Sequence, residues 1–167
     1  LVMKQAGLEP LILEKTELFG GTTAKSGGIM WIPNNRFMKK AGVADSTQQA
    51  MTYMDAVVGD HNDTPGASRE RRLTYIEQAP KMVDFLVEQG IELRRHPYWP
   101  DYYSDAPGAV QSGRTVFAEL FDGSVLGKNL GKLRPNFVPV PLKSEESWEI
   151  GLYKTTWLGK WTLFKVG

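Results

Sequence analysis

The sequence predicts an α/β fold, and two neighbouring features carry that prediction. The first is the continuous apolar run Leu11–Leu13, which is typical of a strand buried on both faces of a parallel sheet. The second is Glu14 with the glycine-rich loop after it, at the carboxyl end of the run, where open α/β sheets bind their ligands. A carboxylate there can accept hydrogen bonds from two ribose hydroxyls. Together these features predict part of a Rossmann-like domain that binds a dinucleotide.

The loop after Glu14 supplies the remaining candidates for binding that ligand. Glycines let backbone N–H groups come close to an anion, and hydroxyl side chains can donate to phosphate oxygens. The candidate cofactor-binding residues are Glu14, Lys15, Gly20, Gly21, Thr22, Thr23, Ser26, Gly27 and Gly28. A loop of this composition is also common at ordinary protein surfaces, and Glu14 with Lys15 equally fits a solvated strand end. The residues alone leave both interpretations open.

Composition excludes several classes of protein. The 167 residues, 41% hydrophobic and 23% charged, suffice for one domain with a sizeable core. A net charge of +1 gives no reason to expect a nucleic-acid partner. The absence of cysteine excludes a disulfide framework and fits the reducing cytoplasm, the expected location. Because the chain has only two histidines, no metal site is expected. No apolar run approaches the ~18 residues of a membrane span.

The position of Glu14 bears on how much of the domain is present. In dinucleotide-binding folds the ribose acid lies ~20 residues beyond a G-x-G-x-x-G turn, which itself follows the first strand. Here only 13 residues precede Glu14. We therefore expect the first strand and the glycine turn upstream of residue 1, and we interpret the chain as an N-proximal fragment with an incomplete Rossmann-like domain.

Periodic apolar residues predict a helical layer outside this sheet, followed by an aromatic loop. The predicted helices cover residues 36–41, 47–58, 69–77 and 80–89. Pro80 suits the first turn of the last helix, and Arg72 is expected on a solvated face. The loop His96–Tyr103 is stiffened by proline, and its aromatic faces suit a flat apolar ligand. From composition alone, a loop that only packs is the simpler interpretation.

A resemblance to a known family lies in residues 13–35, LEKTELFGGTTAKSGGIMWIPNN. This segment resembles the second-strand segment of FAD-binding flavoproteins of the fumarate reductase/succinate dehydrogenase superfamily, and is most similar to the 3-ketosteroid 1-dehydrogenases. The resemblance implies an FAD-binding domain in which Glu14 binds the adenosine ribose. It places Gly21–Thr23 at the pyrophosphate and ribityl chain, and Ser26–Gly28 near the flavin. It extends to about residue 127, which implies that residues 1–127 are part of the FAD-binding domain and 128–167 are a linker and the start of the next segment.

The same family implies a catalytic candidate. Residues 100–103, Pro-Asp-Tyr-Tyr, resemble a segment whose first tyrosine belongs to the active site, and that tyrosine is Tyr102 here. In the family it supports a second tyrosine, which removes the C2 proton of a 3-ketosteroid while hydride leaves C1 for flavin N5. We expect the second tyrosine beyond residue 167, so the fragment alone is expected to be inactive. The implied partners are an apolar polycyclic ketone and an external electron acceptor.

Three other interpretations stay open beside this one. The chain also fits a relative with the same FAD domain and another substrate, such as a 4-ene-forming ketosteroid dehydrogenase or a fumarate reductase. It fits a non-catalytic FAD-binding module, and it fits a broken gene product that does not fold. Pro-Asp-Tyr-Tyr favours steroid 1,2-desaturation, because dicarboxylate enzymes need clusters of arginine and histidine that are not visible here.

Overall fold

The computed structural model describes residues 1–59, 64–136, 143 and 146–166. The chain divides into two compact units. The first unit comprises Leu1–Gly28 and Glu119–Gly167, and the second comprises Ile29–Ala118. This division concerns contacts within the chain, and the boundary expected at residue 127 stays a prediction.

Short helices and a small sheet make up the regular structure of the described ranges. The helices are α1 (Val2–Gln5), α2 (Arg36–Lys40), α3 (Thr47–Val58), α4 (Arg69–Glu88), α5 (Glu146–Gly151) and α6 (Trp157–Val166). The strands are β1 (Met30–Trp31), β2 (Leu93–Arg95) and β3 (Thr115–Ala118). Thr23–Lys25 has 3-10 geometry, and Gly123–Lys132 consists of two 3-10 segments separated by a kink at Gly127. The chain is therefore a mixed α/β structure.

The sheet lies in the second unit and is antiparallel throughout, with β3 in the centre. Met30 pairs with Val116, and Arg94 pairs with Phe117. The apolar side chains of Ile32 and Val116 pack against Ala79 and Val83 of α4 to form one core cluster. A second cluster joins α3 to α4 through Ala50, Met51 and Ile76. The long helix α4 is therefore the element on which both the sheet and α3 pack.

Local sequence signals place the helix ends of this unit. The Ser46 hydroxyl accepts a hydrogen bond from the Gln49 N–H at 3.1 Å, which caps α3 as its sequence predicts. Gly59 follows the last residue of α3 with φ +75°, and Gly90 follows α4 with φ +84°. Asn35 caps α2, and its amide also donates to the carbonyl oxygens of Ile32 (2.7 Å) and Gly113 (2.8 Å).

The strand predicted over Leu11–Leu13 is wrong for the described structure. These residues have no regular secondary structure, and their side chains are 83–86% exposed. A strand forms only where a neighbouring strand receives its N–H and C=O groups, and no described residue supplies that neighbour. The sheet that the described residues do form is antiparallel, whereas the apolar run predicts a parallel one.

The separate helices predicted on either side of Pro80 are also wrong. The chain forms one helix of 20 residues, α4, with Pro80 inside it. Proline lacks the N–H that would bond the carbonyl four residues earlier, so an interior proline is unfavourable by itself. Here Ile76, Ala79 and Val83 are buried on both sides of it, and this continuous apolar face holds the helix together.

The expected solvated position of Arg72 is a third error. Its side chain is only 6% exposed, and its Nη1 donates to Asp55 Oδ1 at 2.9 Å. Asp55 belongs to α3, which packs beside α4, so position 72 lies on the inner face of its helix. The charge of Arg72 is tolerated there because an opposite charge from the neighbouring helix meets it.

Candidate functional site

Glu14 in the first unit is an exposed carboxylate with one oxygen already bound. The backbone N–H of Thr16 donates to Glu14 Oε1 at 3.1 Å. This hydrogen bond, supported by the Thr16 hydroxyl, holds the pKa of Glu14 below its ordinary value. Both hydrogen bonds from Thr16 end on Oε1. Glu14 is therefore an ionised acceptor with an oxygen available to ligand hydroxyls.

The loop after Glu14 presents backbone donors. Gly20 (φ +105°) and Gly21 (φ +54°) adopt left-handed conformations that lead into the 3-10 turn. A Cβ at Gly20 would lie 2.7 Å from the Cβ of Ala24, so the turn needs glycine there. No described residue accepts a hydrogen bond from the N–H of Gly21, Thr22 or Thr23. Three consecutive exposed donors suit the oxygens of a phosphate.

Ser26 and its neighbours have a different part in the same loop. The Ser26 hydroxyl donates to the Thr23 carbonyl at 2.8 Å and accepts from the Gly28 N–H at 3.2 Å. Its hydrogen is therefore committed to shaping the loop. Gly27 and Gly28 are exposed, as is the side chain of Lys15. With an acceptor at Glu14 and donors at 21–23, this loop fits the ribose and pyrophosphate of a dinucleotide.

A second segment of the first unit supports the loop. Phe19 forms a parallel bridge with Leu133, and the Phe19 N–H donates to the Lys132 carbonyl at 3.0 Å. The Arg134 Nη2 donates to the Thr16 hydroxyl at 3.0 Å, next to Glu14. Sequence reasoning missed these contacts because they join residues more than 110 positions apart without any local pattern.

Tyr102, in the second unit, lies in the aromatic loop with its side chain 89% exposed. Its ring meets that of Tyr103 edge-on, with centroids 5.0 Å apart. The residue before it, Asp101, is buried and exchanges backbone and side-chain hydrogen bonds with Val110 at 3.1 and 3.0 Å. An exposed phenol thus follows directly after a buried, firmly bonded carboxylate.

Arg114, at the end of the loop that carries Tyr102, is buried between two carboxylates. Its Nε and Nη2 donate to Asp45 at 2.9 and 2.6 Å, and its Nη1 donates to Asp101 at 2.8 Å. The side chains of all three residues are at most 1% exposed. The sequence signal for this cluster is weak, because Asp45, Asp101 and Arg114 are far apart in the sequence. Each of them, taken alone, suggests an exposed charged residue.

Aromatic rings cover this buried ion cluster. The Trp31 ring stacks on that of Tyr53 with centroids 5.6 Å apart, and the Arg114 guanidinium lies within 5.6 Å of both centroids. The Trp31 Nε1 donates to Asp101 Oδ1 at 2.7 Å. The Tyr75 hydroxyl donates to the Trp31 carbonyl at 2.5 Å, and burial raises the pKa of Tyr75.

The predicted site residues therefore form two groups. The residues from Glu14 to Gly28 lie in the first unit, and Tyr102 lies in the second. No group of three or more histidine, aspartate or glutamate residues in the described ranges is arranged to hold a metal ion. Within those ranges no helix is both long and apolar enough to cross a membrane.

Comparison with known proteins shows the family to which this chain belongs. A family model described as FAD binding domain matches residues 1–155. A 3-oxosteroid 1-dehydrogenase of Mycolicibacterium smegmatis is 36% identical over 143 residues, which cover 85% of this chain and 24% of that protein. A 4-oxocyclohexanecarboxylate 2-dehydrogenase of Sinomonas cyclohexanicum is 34% identical over 148 residues, covering 86% of this chain and 25% of that protein. The chain spans about a quarter of the length of these curated relatives.

A solved structure gives the same result. The crystal structure of 3-ketosteroid delta1-dehydrogenase from Sterolibacterium denitrificans in complex with 1,4-androstadiene-3,17-dione matches with a TM-score of 0.78 and 32% identity. The match covers 98% of this chain and 29% of that one. The comparisons confirm the resemblance to the 3-ketosteroid 1-dehydrogenases, the coarse α/β fold and FAD as the cofactor.

Proposed function

Because this chain belongs to the FAD binding domain family, we propose that the protein is an FAD-dependent oxidoreductase that desaturates the C1–C2 bond of 3-ketosteroids. The relatives named for this reaction support the proposal, and so does the structure matched with a steroid dienedione bound. The observation that carries it is the exposure of the Tyr102 side chain between Asp101 and Tyr103, two residues that hydrogen bonds hold in place. An external electron acceptor completes each turnover.

The glycine loop holds the cofactor in this proposal. Glu14 accepts hydrogen bonds from the adenosine ribose, and the backbone N–H groups of Gly21–Thr23 donate to the pyrophosphate. Gly20 gives the chain the turn that it needs there, and Lys15 adds a positive charge beside the acid. Ser26 shapes the bend that brings Gly27 and Gly28 close to the flavin. FAD, when bound, supplies the oxidant for the reaction.

Tyr102 assists the removal of a proton in this proposal. The steroid would lose its C2 proton to a second tyrosine of the complete polypeptide and its C1 hydride to FAD, and a C1=C2 double bond would form between the two carbons. A phenol has an ordinary pKa near ~10, so a tyrosine that acts as the base needs help to form its anion. The Tyr102 hydroxyl supplies a hydrogen bond to that base. Its ring and the adjacent ring of Tyr103 offer flat apolar faces to the steroid.

Product analysis tests the proposed reaction. The complete natural polypeptide that carries this sequence is supplied with FAD, an artificial electron acceptor and a 3-ketosteroid that is saturated at C1–C2. We expect a product two hydrogen atoms lighter, with the new double bond conjugated to the ketone. Recovery of unchanged steroid with an enzyme that has its flavin bound would overturn the assignment of the substrate.

A smaller ring ketone is the second candidate substrate. The match to a 4-oxocyclohexanecarboxylate 2-dehydrogenase covers as much of this chain as the match to the steroid enzyme. Both names describe dehydrogenation of a ring ketone. Comparing kcat/KM for a 3-ketosteroid and for 4-oxocyclohexanecarboxylate separates the two candidates, and the steroid is expected to give the higher value.

A further inference from the structure

Tyr102 lacks side-chain anchors of its own. Its hydroxyl makes no hydrogen bond with any described residue, and its ring contacts only that of Tyr103 among the described aromatic side chains. The hydroxyl of such a side chain can occupy only the positions that its rotamers reach from the backbone, so fixing the backbone narrows this set. The position of its hydroxyl therefore depends on what holds the residues on either side.

Hydrogen bonds hold both sequence neighbours of Tyr102, which are Asp101 and Tyr103. Asp101 accepts hydrogen bonds from Trp31 Nε1, from the Val110 N–H and from Arg114 Nη1, all at 3.0 Å or less. The Tyr103 N–H donates to the hydroxyl of Tyr53 on α3 at 3.2 Å. The backbone of Tyr102 therefore lies between two residues that are each held by hydrogen bonds.

Arg114 links the contacts that hold Asp101 to those that hold Tyr103. Its guanidinium bonds Asp101 on one side and lies 5.6 Å from the ring centroid of Tyr53, which holds Tyr103. Its remaining donors bond Asp45, whose oxygens also accept from the N–H groups of Asn34 and Ser46. Each guanidinium nitrogen and each carboxylate oxygen of the cluster therefore has at least one hydrogen-bond partner, which restricts how the three side chains can be arranged.

We propose that Arg114 is a positioning residue for Tyr102, acting through Asp101 and Tyr53 without contacting the substrate. This inference rests on the proposed function. The Arg114 side chain is fully buried, so substrate cannot reach it. Buried ion pairs add little net stability in general, and the fork of a guanidinium instead fixes the direction of its partners. Lysine carries the same charge but cannot bond Asp45 and Asp101 in this geometry.

A double-mutant cycle on the complete natural polypeptide with FAD bound tests the proposal. The rate of flavin reduction by a 3-ketosteroid is measured without oxygen for the wild type, Arg114→Lys, Tyr102→Phe and the double variant. We expect Arg114→Lys to slow reduction on the order of ten- to hundredfold while flavin content is retained. In the Tyr102→Phe background the same change should have little further effect, because both act through one hydroxyl.

Arg72→Lys is the matched control. Arg72 is another buried arginine of the same unit that bonds a carboxylate, but it lies on α4 and donates to Asp55 and to the Gly59 carbonyl. We expect Arg72→Lys to leave the rate of flavin reduction unchanged, both in the wild type and in the Tyr102→Phe variant. If Arg114→Lys does not fold, Trp31→Phe replaces it in the double-mutant cycle. This change removes one hydrogen-bond donor to Asp101 and keeps an aromatic ring at position 31.

The outcomes separate this inference from the proposed function. Equal slowing by Arg114→Lys in both backgrounds would show a general structural effect and overturn the positioning role. The role is equally overturned if Arg114→Lys reduces flavin as fast as the wild type, or if Arg72→Lys slows it as much. A wild-type flavin that the steroid never reduces would instead overturn the proposed function itself.

Discussion

At the scale of single residues, Glu14 is an exposed carboxylate in which the hydrogen bonds from Thr16 both end on Oε1. The Thr16 N–H holds one oxygen and lowers the pKa of the group, so the carboxylate is charged throughout the neutral range. A charged acceptor forms stronger hydrogen bonds than a neutral one of the same shape. The residue is therefore suited to bind hydroxyl groups of a cofactor without any change of protonation.

Replacing Glu14 with glutamine tests this role. Glu14→Gln keeps the size of the side chain but removes its charge, so FAD affinity should fall roughly ten- to hundredfold. The measurement is a titration of the flavin-free protein with FAD, followed by flavin fluorescence. Glu17→Gln changes an exposed acid three residues away and serves as the control. Equal affinity for both variants would contradict the assignment of Glu14.

Tyr75 gives a residue-scale prediction about pH. Burial raises its pKa above the ordinary value of 10.0, and its hydroxyl donates to the Trp31 carbonyl. The folded protein therefore holds this proton longer than the unfolded chain does. The stabilisation is complete below the unfolded pKa and is lost as pH rises through the folded pKa. We expect Tm to fall with pH above about 10 more steeply in the wild type than in Tyr75→Phe.

A control distinguishes this effect from the general alkaline loss of stability. Tyr98→Phe removes a tyrosine hydroxyl whose ring is 83% exposed, and should keep the steep wild-type dependence. Identical alkaline profiles for Tyr75→Phe and Tyr98→Phe would show that the Tyr75 hydroxyl is not responsible.

At the scale of elements, the loop that carries Tyr102 depends on one close approach to α3. Gly108 has φ +78°, and a Cβ there would lie 2.5 Å from the Gln49 carbonyl oxygen and 2.6 Å from the Tyr53 nitrogen. Both are backbone atoms of α3, so neither can move aside. Glycine at 108 is therefore what lets the loop rest on the helix.

Gly108→Ala is expected to destabilise the protein by about 1–3 kcal/mol and to lower Tm accordingly. Gly66→Ala is the control, since a Cβ at Gly66 has nothing within 4 Å. Both variants are compared by thermal unfolding monitored by circular dichroism. If Gly108→Ala melts at the same temperature as Gly66→Ala, the loop does not pack on α3 in the way described.

Element ends could be predicted from the sequence, whereas element contacts could not. Ser46 caps α3, and Gly90 follows the C-cap residue of α4, because capping depends on residues within one turn. Pro80 and Arg72 were misjudged because a continuous core face and an opposite charge on another helix outweigh local preference. Arg114 was missed for the same reason, since its partners lie 13 and 69 positions away.

At the scale of the whole molecule, the family and its cofactor were predicted from one glycine-rich segment and one aromatic motif. Order and spacing of such segments are read directly from a sequence, and the matched relatives confirm the family. The roles of Glu14, the glycine loop and Tyr102 stay predictions, because a role depends on which ligand atoms a side chain meets, and the order of residues does not give that geometry.

The central claim is that a 3-ketosteroid reduces the bound FAD with the help of Tyr102. The complete natural polypeptide is mixed with a 3-ketosteroid without oxygen, and the visible flavin absorption is followed by stopped flow. We predict that the flavin bands bleach, that Tyr102→Phe bleaches at least about tenfold more slowly with its flavin retained, and that Tyr98→Phe behaves like the wild type. Flavin bands that persist in the wild type, or equal rates for Tyr102→Phe and the wild type, would contradict the account.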